Sequence, residues 1–381
     1  MKIGILTWTY SNYGTLLQAY ALQNYLKGEG HIVQLINYTP KNENVIKYNK
    51  YNISNFMKRI KNKIILIDEN KKMEKLNDFF KKGMIKRENL FKEFIKENLP
   101  LTKNYTIEEL SCLNNKFDVF IVGSDQIWSP KYLDGTFFLN FLNDNSRKIS
   151  YAPSFGVSKL DDKVQNLIRP WLESFDYISV RENAGQKIIK DTIGKDVPVV
   201  LDPTLLYDMY GWNDIIREES MNKNKKYILC YFLSNNEYYW KIVRMLEEKL
   251  GLNVIVIPNK SLDFNNKYEK EIEVDPFKFV SLIKNSDYVL TDSFHGTIFA
   301  INYHKDFLTL ARFSDKKKES ENSRLKSILS YLKLQDRFIT EEESIQCNLH
   351  VGDEKYSEVE KRLDNRRKES KDFILESLKT I

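Results

Sequence analysis

The strongest constraint on the fold is an alternation of short apolar strand patterns with amphipathic helix patterns, which occurs twice along the chain. The first run, "KIGILTW", is typical of a strand. It is followed by "TLLQAYALQNYLKGEG", which predicts a helix ending at glycine, and by "HIVQLINY", which predicts the next strand. Such alternation is typical of parallel sheets whose strands are joined by crossover helices. We therefore predict an α/β fold.

The alternation divides the chain into two similar units. Strands in the first unit are also predicted at "FDVFIVG", "KISYAPSFG", "YISVREN" and "VPVVLDPT". The pattern starts again near Lys225 with "KKYILCYFL" and continues through "NVIVIP", "DYVLTD" and "DFLTLA". We predict two Rossmann-like domains facing each other across a cleft, residues 1–206 and 225–345. A basic helical insertion is expected at 41–100, and a C-terminal helix at 354–378 is expected to pack back on the first domain.

Composition excludes several classes of protein. Of the 381 residues 29% are charged and 42% hydrophobic, a globular profile. No apolar run is long enough to cross a bilayer, and the first residues do not resemble a signal peptide. The three cysteines form no CxxC pair, so neither a disulfide framework nor a zinc site is expected. We expect a cytoplasmic protein with reduced thiols.

The net charge of +6 is unevenly distributed. Residues 41–96 contain sixteen Lys or Arg against seven Asp or Glu. One interpretation is a basic patch that contacts anionic lipid or a lipid-diphosphate-linked acceptor at the inner face of the membrane. The favoured interpretation is a solvated helical flap. Nucleic acid is not an expected partner, because the stretch has no recognised binding motif.

Small and polar residues follow the predicted strands, at the sheet edge where open α/β folds bind ligands. Asn12 and Gly14 lie in a loop before a helix, whose N-terminus favours anions, although the glycine could simply permit the turn. Ser124 and Asp125 follow a buried strand; the carboxylate could orient a hydroxyl or a base, or cap the next turn. Three further residues are open to the same two interpretations, as caps or as ligands: Ser154, Asp202 and Thr204.

Arg181 and His295 are the strongest candidates for a functional role at this edge. A guanidinium there suits a bidentate grip on phosphate or carboxylate, while the alternative is an ion pair with Glu182 or another neighbour. His295 lies between a strand and a helix, where it could act in catalysis or be a structural histidine that fills the turn. A helix N-terminus disfavours imidazolium there. If it acts as an acid, a carboxylate such as Asp292 or Asp125 must offset that effect. No histidine has metal-ligand spacing to another, so no metal is expected.

Seven motifs in a fixed order resemble the polysaccharide pyruvyl transferase family from Met1 to about Asp336. They are Asn-Tyr-Gly with "LLQAYAL", then "GSDQIW", "YAPSFG", "VREN", "DPTLL", and "DPFKFVSLIKNSDYVLTDSFHGTIFA". The resemblance implies a GT-B-like fold. It also implies transfer of pyruvate from phosphoenolpyruvate onto two hydroxyls of a cell-surface sugar as a cyclic ketal, with no cofactor. The family's histidine corresponds to His295 and its rim arginine to Arg181, with Asp125 orienting the acceptor or the histidine.

One position departs from the family pattern. The family branch with Arg-Leu-His at this site differs from this chain, which has Ser293, Phe294 and His295. The arginine that would grip the donor's phosphate is thus replaced by Ser293. Arg324 and Arg312 are the candidates to reach the same volume. The acceptor is expected to contact the loops that carry Asn12, Gly14, Ser124 and Ser154.

Two other functions stay open on the same scaffold. One is a glycosyltransferase that uses a nucleotide sugar, which predicts binding of a nucleoside diphosphate in place of phosphoenolpyruvate. The other is a non-catalytic subunit that acts in polysaccharide assembly. It predicts that His295→Ala leaves the pyruvate content of the polymer unchanged.

Overall fold

The computed structural model describes most of the chain as two lobes, each built on a parallel sheet. The described residues are 1–38, 40, 67–216, 225–234, 236–312, 322–340 and 349–379.

The first lobe contains a five-stranded sheet in the order β2-β1-β3-β4-β5. Every paired strand runs parallel to its neighbour. β1, β3 and β4 are buried along nearly their whole length, as expected for strands covered on both faces. The strands are β1 (Lys2–Leu6), β2 (Ile32–Leu35), β3 (Val119–Val122), β4 (Arg147–Ser150) and β5 (Tyr177–Ile178).

The second lobe contains a six-stranded parallel sheet in the order β11-β10-β9-β6-β7-β8. Its two edge strands are two residues long, too short to leave a periodic signal in the sequence. The strands are β6 (Tyr227–Tyr231), β7 (Asn253–Ile257), β8 (Glu269–Lys270), β9 (Tyr288–Thr291), β10 (Asp306–Leu310) and β11 (Phe338–Ile339).

Helices connect the strands and cover the sheets. Their starts follow the capping rules: the side chain of Asp275 accepts a hydrogen bond from the backbone N–H of Lys278, and Pro276 occupies the first helical position. The helices are α1 (Tyr13–Gly28), α2 (Ile67–Asn98), α3 (Asp162–Glu173), α4 (Asn183–Ile193), α5 (Met209–Ile215), α6 (Glu237–Leu250), α7 (Pro276–Asn285), α8 (Phe294–Asn302), α9 (Ser323–Tyr331) and α10 (Asp353–Leu378).

Two long helices, α2 and α10, contact both lobes. On α2, the Phe91 ring packs edge-on against Tyr13 of the first lobe, while Arg87 donates to backbone carbonyls of the second. On α10, the hydroxyl of Ser370 accepts a hydrogen bond from Leu201 N, and Arg367 donates to the side chain of Asn302. The lobes are therefore joined by these helices as well as by their direct contact.

One predicted strand is wrong. Residues 197–204, "VPVVLDPT", form only an isolated bridge between Val199 and Val180. Pro198 and Pro203 lack the N–H groups that a strand donates to its neighbours, which explains why the apolar run does not continue the sheet. The predicted insertion at 41–100 is described only from Ile67, where α2 begins, and residues 41–66 lie outside the described part.

No helix among the described residues is long and apolar enough to span a membrane. Cys112 and Cys230 carry free thiols, and Cys347 lies outside the described residues.

Candidate functional site

His295 lies in the first turn of α8, directly after β9, at the carboxyl edge of the second sheet. Ser293 is the N-cap of this helix, and its hydroxyl accepts a hydrogen bond from the backbone N–H of Gly296 at 3.3 Å. The predicted donor-binding residue Ser293 therefore already caps the helix, and its contact with the donor stays a prediction. His295 is only 7% exposed, because the first lobe covers its ring.

The ring of His295 packs directly against Gly14 of α1. A Cβ atom added at Gly14 would lie 1.9 Å from Nδ1 of His295, so only glycine permits this approach of the two lobes. The predicted loop residue Gly14 thus allows close contact between α1 of the first lobe and α8 of the second. The other ring nitrogen, Nε2, lies 3.6 Å from Oδ2 of Asp202 and has no hydrogen-bond partner among the described residues.

Asp202 is the carboxylate that faces the histidine, where the sequence led us to expect Asp292 or Asp125. Its Oδ1 accepts from the backbone N–H and the hydroxyl of Thr204, at 3.0 and 2.8 Å. Its Oδ2 accepts from Nη1 of Arg181 at 2.5 Å. Burial alone would raise the pKa of Asp202, but the attraction of His295 and Arg181 outweighs burial and holds that pKa well below its usual range. Asp202 therefore favours the carboxylate form near neutral pH.

Asp292 has a different task from the one considered in the sequence. Its carboxylate accepts hydrogen bonds from the backbone N–H groups of Leu233 and Ser234, at 2.6 and 2.9 Å. It also lies 3.6 Å from Nε of Arg312, whose Nη2 donates to the Asp292 carbonyl at 3.2 Å. Asp292 thus orders the loop after β6 and holds the predicted donor residue Arg312.

Arg181 is buried between two acids of its own lobe. Besides the contact with Asp202, its Nη2 lies 3.5 Å from Oδ1 of Asp125. Burial would lower the pKa of the guanidinium, but the two carboxylates reverse this and raise it. The predicted alternative of an ion pair is therefore found, with Asp202 and Asp125 as the partners; Oε1 of Glu182 instead accepts from the hydroxyl of Ser154 at 2.8 Å. Burial raises the pKa of Glu182.

Phe294 lies between two guanidinium groups. Cζ of Arg181 is 4.7 Å from the ring centroid, and Cζ of Arg324 is 5.6 Å from it. Such contacts stabilise a cation over an aromatic ring. Arg324 begins α9 and is close enough to the site for its charge to lower the pKa of Asp125, so it lies beside the cluster that the sequence predicted it could reach.

Asp125 links the two rim loops of the first lobe. Its Oδ2 accepts from the hydroxyl of Thr15 at 2.7 Å, and its Oδ1 accepts from the backbone N–H of Gln126 at 2.9 Å. Burial favours the neutral acid, but Arg181 and His295 overcome this and lower the pKa of Asp125. The predicted catalytic triplet of His295, Asp125 and Arg181 therefore lies in one buried cluster.

The remaining predicted acceptor residues line the same loops. Asn12 caps α1, accepting from the backbone N–H of Thr15 at 3.3 Å. Ser124 is fully buried and donates to the carbonyl of Ala152 at 2.8 Å. Ser154 is also fully buried and donates to Glu182. Contact of these residues with a sugar stays a prediction.

Sequence reasoning missed the central role of Asp202. It identified "LDPT" as a rim loop, but could not choose between a cap and a ligand, and Asp202 proves to be the link between Arg181 and His295. Thr15 and Phe294 were also missed. The signal available for both was their position next to residues already chosen, Gly14 and His295.

The cluster combines an imidazole, two ionised carboxylates and two guanidinium groups in a buried space between lobes. It can exchange a proton at the imidazole and hold an anion at the guanidinium groups. Among the described residues no group of three side chains is suited to hold a metal ion.

Comparisons with known proteins agree on family and fold. The sequence model of the family described as polysaccharide pyruvyl transferase matches residues 12–314. A search of curated protein sequences found no match to this chain.

Solved structures similar to this chain share its GT-B arrangement. A glycosyltransferase from Rickettsia africae is 12% identical with a TM-score of 0.51, covering 100% of this chain and 99% of its own. HepE from Anabaena, in complex with UDP and glucose, is 8% identical with a TM-score of 0.50, covering 99% and 100%. The UDP-GlcNAc 2-epimerase from Methanocaldococcus jannaschii is 12% identical with a TM-score of 0.50, covering 96% and 92%. These identities show the fold alone, and they confirm the predicted GT-B-like class.

Proposed function

The chain belongs to the polysaccharide pyruvyl transferase family, and we propose that it moves pyruvate from phosphoenolpyruvate onto two hydroxyls of one sugar as a cyclic ketal. The sugar belongs to a cell-surface polysaccharide or to its lipid-linked precursor. One observation carries this proposal: the imidazole of His295 from one lobe lies 3.6 Å from the Asp202 carboxylate of the other, beside buried guanidinium groups.

The reaction needs proton transfer at two kinds of atom. A proton added to the methylene carbon of phosphoenolpyruvate makes the neighbouring carbon cationic, and a sugar hydroxyl attacks it. The bond to phosphate then breaks, and the second hydroxyl attacks the same carbon. One hydroxyl proton is finally carried by the new methyl group and the other by inorganic phosphate. A single group that gives and takes protons can serve these steps.

His295 is the group we assign to proton transfer. The Asp202 carboxylate lies 3.6 Å from Nε2 of the ring, the placement of a carboxylate beside a catalytic histidine. Asp202 itself is unsuited to carry the proton, because its bonds to Arg181 and Thr204 stabilise the carboxylate. Its part is to position His295.

The donor carries about three negative charges near neutral pH, so its site needs several charge-assisted donors. The charge of Arg181 is already balanced by Asp125 and Asp202. We assign Arg324 to the task of the family arginine that Ser293 replaces, because it lies on the same Phe294 ring as Arg181 and its charge reaches Asp125. The alternative candidate Arg312 is less suited, because Asp292 holds it.

The acceptor is proposed to approach the loops that carry Asn12 and Asp125. Asn12 is partly exposed, whereas the hydroxyls of Ser124 and Ser154 are buried and donate within the lobe. We further propose a lipid-diphosphate acceptor and contact with a membrane surface on the basic composition of residues 41–96, of which residues 41–66 lie outside the described part.

The proposal is tested by incubating the protein with phosphoenolpyruvate and a panel of sugar acceptors. We expect release of inorganic phosphate together with a new methyl singlet of the ketal in the proton NMR spectrum. A thermal-shift experiment with phosphoenolpyruvate, UDP and CMP accompanies it. We expect phosphoenolpyruvate to raise the Tm of the wild type, and to raise it less in Arg324→Ala, because ligands stabilise the state that binds them.

Other outcomes would support the competing functions. A rise in Tm with UDP and none with phosphoenolpyruvate would favour a nucleotide-sugar glycosyltransferase. Binding of phosphoenolpyruvate without phosphate release, with every acceptor and equally in wild type and His295→Ala, would favour a non-catalytic role in polysaccharide assembly.

A further inference from the structure

A small cavity of about 160 Å³ lies beside the cluster, where both lobes and the C-terminal helix α10 meet. Residues 199–202 of the first lobe form one wall, and Phe294 with the end of α9 forms another. The polar side chains around it include Arg181, Asn183 and Arg366. Pockets for drug-sized ligands are typically larger, at about 300–1,000 Å³, so this cavity suits a small ligand or one end of a larger one.

Arg181 brings an unsatisfied donor to this cavity. Its side chain is 2% exposed, and Nη1 and Nη2 are bonded to acids. The third nitrogen, Nε, is buried and has no hydrogen-bond partner among the described residues. A buried donor without an acceptor is destabilising, so such a group in a native protein calls for an explanation. A ligand oxygen in the cavity would supply the missing acceptor.

Arg366 brings a second guanidinium from the opposite side. It extends from α10, with Cζ 4.2 Å from the ring centroid of Tyr331 and Nη1 donating to the Val199 carbonyl at 3.0 Å. Its Nη1 also pairs with the Glu369 carboxylate at 3.1 Å, but that carboxylate is 62% exposed, and such surface pairs contribute little. The guanidinium is thus held in place by an aromatic ring, a carbonyl and an acid that solvent screens.

The hydrogen-bond donors around the cavity suit an oxyanion. The charge of Arg181 is balanced by Asp202 and Asp125, so Arg181 contributes its unbonded Nε–H and no net charge. Arg366 contributes a guanidinium whose acidic partner Glu369 is exposed to solvent, and the amide of Asn183 can donate a further hydrogen bond. A guanidinium fork is well matched to carboxylate or phosphate oxygens.

We propose that this cavity is an oxyanion subsite, in which Nε of Arg181 and the guanidinium of Arg366 bind the phosphate or carboxylate end of the donor. The identity of the donor rests on the proposed function, while the anion chemistry does not. Arg366 lies outside residues 12–314, the part matched by the family model. The C-terminal helix would therefore add a guanidinium from outside the matched region to a site that contains Arg181 from within it.

The test is isothermal titration of wild type, Arg366→Ala, Arg366→Lys and Arg362→Ala with phosphoenolpyruvate, inorganic phosphate and pyruvate. Arg362 is the matched control, since it lies one turn away on α10 and does not line the cavity. We expect affinity for the anion to fall about 10- to 100-fold in Arg366→Ala. A smaller loss is expected in Arg366→Lys, which keeps the charge without the fork, and none in Arg362→Ala. The Tm of each unliganded variant shows whether it is folded.

The outcomes separate this inference from the proposed function. Dependence on Arg366 with phosphate alone assigns the cavity to the phosphate end, and dependence with pyruvate alone assigns it to the carboxylate end. If wild type binds phosphate or pyruvate through Arg366 but not phosphoenolpyruvate, the subsite stands and the donor assignment falls. Equal affinity in wild type, Arg366→Ala and Arg366→Lys, or no binding of any of the three anions to wild type, overturns the subsite.

Discussion

The interface between the lobes has two flanks of opposite character, which we call the apolar flank and the ionic flank. In the apolar flank, Tyr13 of α1 stacks on Phe279 of α7 with ring centroids 4.5 Å apart, and its hydroxyl donates to the Val274 carbonyl. Beside it, Arg87 of α2 donates to three carbonyls of the second lobe. The ionic flank begins at the next residue, Gly14, which contacts His295. It comprises His295 and the buried charged residues around it: Asp125, Arg181, Glu182 and Asp202.

The two flanks differ in how completely their polar groups are bonded. In the apolar flank, every nitrogen of the Arg87 guanidinium has a carbonyl partner. In the ionic flank, three buried atoms have no partner among the described residues: Nε2 of His295, Nε of Arg181 and Oε2 of Glu182. Fully bonded contacts stabilise the docking of the lobes, whereas incompletely bonded buried groups are candidates for contact with a ligand. Substitutions should therefore reduce stability in one flank and activity in the other.

His295→Ala should produce the largest effect. Removing a group that transfers protons typically slows a reaction by about 10²- to 10⁴-fold. We expect that loss in the rate of ketal formation, followed by NMR, with a folded protein as judged by its circular dichroism. His350→Ala is the control, because His350 is exposed and pairs with Asp306, which is not part of the cluster. Wild-type rates in His295→Ala would remove the histidine from the mechanism.

Asp202→Asn should reduce both activity and stability, because it leaves Arg181 and His295 without their shared carboxylate. Breaking a buried ion pair by removing one partner costs about 3–5 kcal/mol in the free energy of unfolding. Urea unfolding measures this difference, and Asp196→Asn is the control, because its exposed pair with Lys190 contributes about 0–1 kcal/mol.

The same comparison has a predicted pH dependence. The pKa of Asp202 is lower in the folded than in the unfolded protein, where it is about 3.9. Its stabilising contribution is therefore fully present above the unfolded pKa and is lost as the pH falls toward the folded one. The difference in the free energy of unfolding between wild type and Asp202→Asn should shrink below about pH 4. A difference that grows on acidification would contradict the assignment.

Arg87→Met should reduce stability through the apolar flank. The substitution leaves three carbonyls of the second lobe without their donor, and each such loss costs about 1–3 kcal/mol when the group stays buried. We expect a total of about 2–4 kcal/mol, since solvent reaches part of the site. Lys86→Ala, which removes an exposed pair with Glu273, should change the free energy of unfolding by less than about 1 kcal/mol.

Of these four substitutions, Gly14→Ala should have the smallest effect on stability. It tests the contact between Gly14 and His295, where the two flanks meet. The new Cβ would overlap the His295 ring, and overpacking of this kind costs about 1–3 kcal/mol. We also expect slower ketal formation, because the ring must move. Gly28→Ala at the other end of α1 is the control: no atom lies within 4 Å of its added Cβ, and alanine favours the helix by about 0.5–1 kcal/mol. Equal behaviour of the two variants would show that Gly14 does not set the position of His295.

Local patterns were sufficient to predict most elements of the fold. The strands before Gly123 and Asp292 and the helix that starts at Pro276 were predicted from period and caps alone, because burial on both faces makes parallel strands uniformly apolar. The pattern misled us at residues 197–204, where prolines prevent an apolar run from joining the sheet. It also missed β8 and β11, which are too short to show a period.

The sequence by itself determined two parallel α/β units, the rim loops at their edges, and His295, Arg181 and Asp125 as candidates. Each of these follows from order and spacing within a short segment. Only the tertiary structure decided that Asp202 faces His295, that Gly14 admits its ring and that Arg366 reaches a cavity beside Arg181. These pairs join residues of different lobes or helices. Their distances depend on how the apolar surfaces of α1, α2 and α10 dock, and no local pattern encodes that geometry.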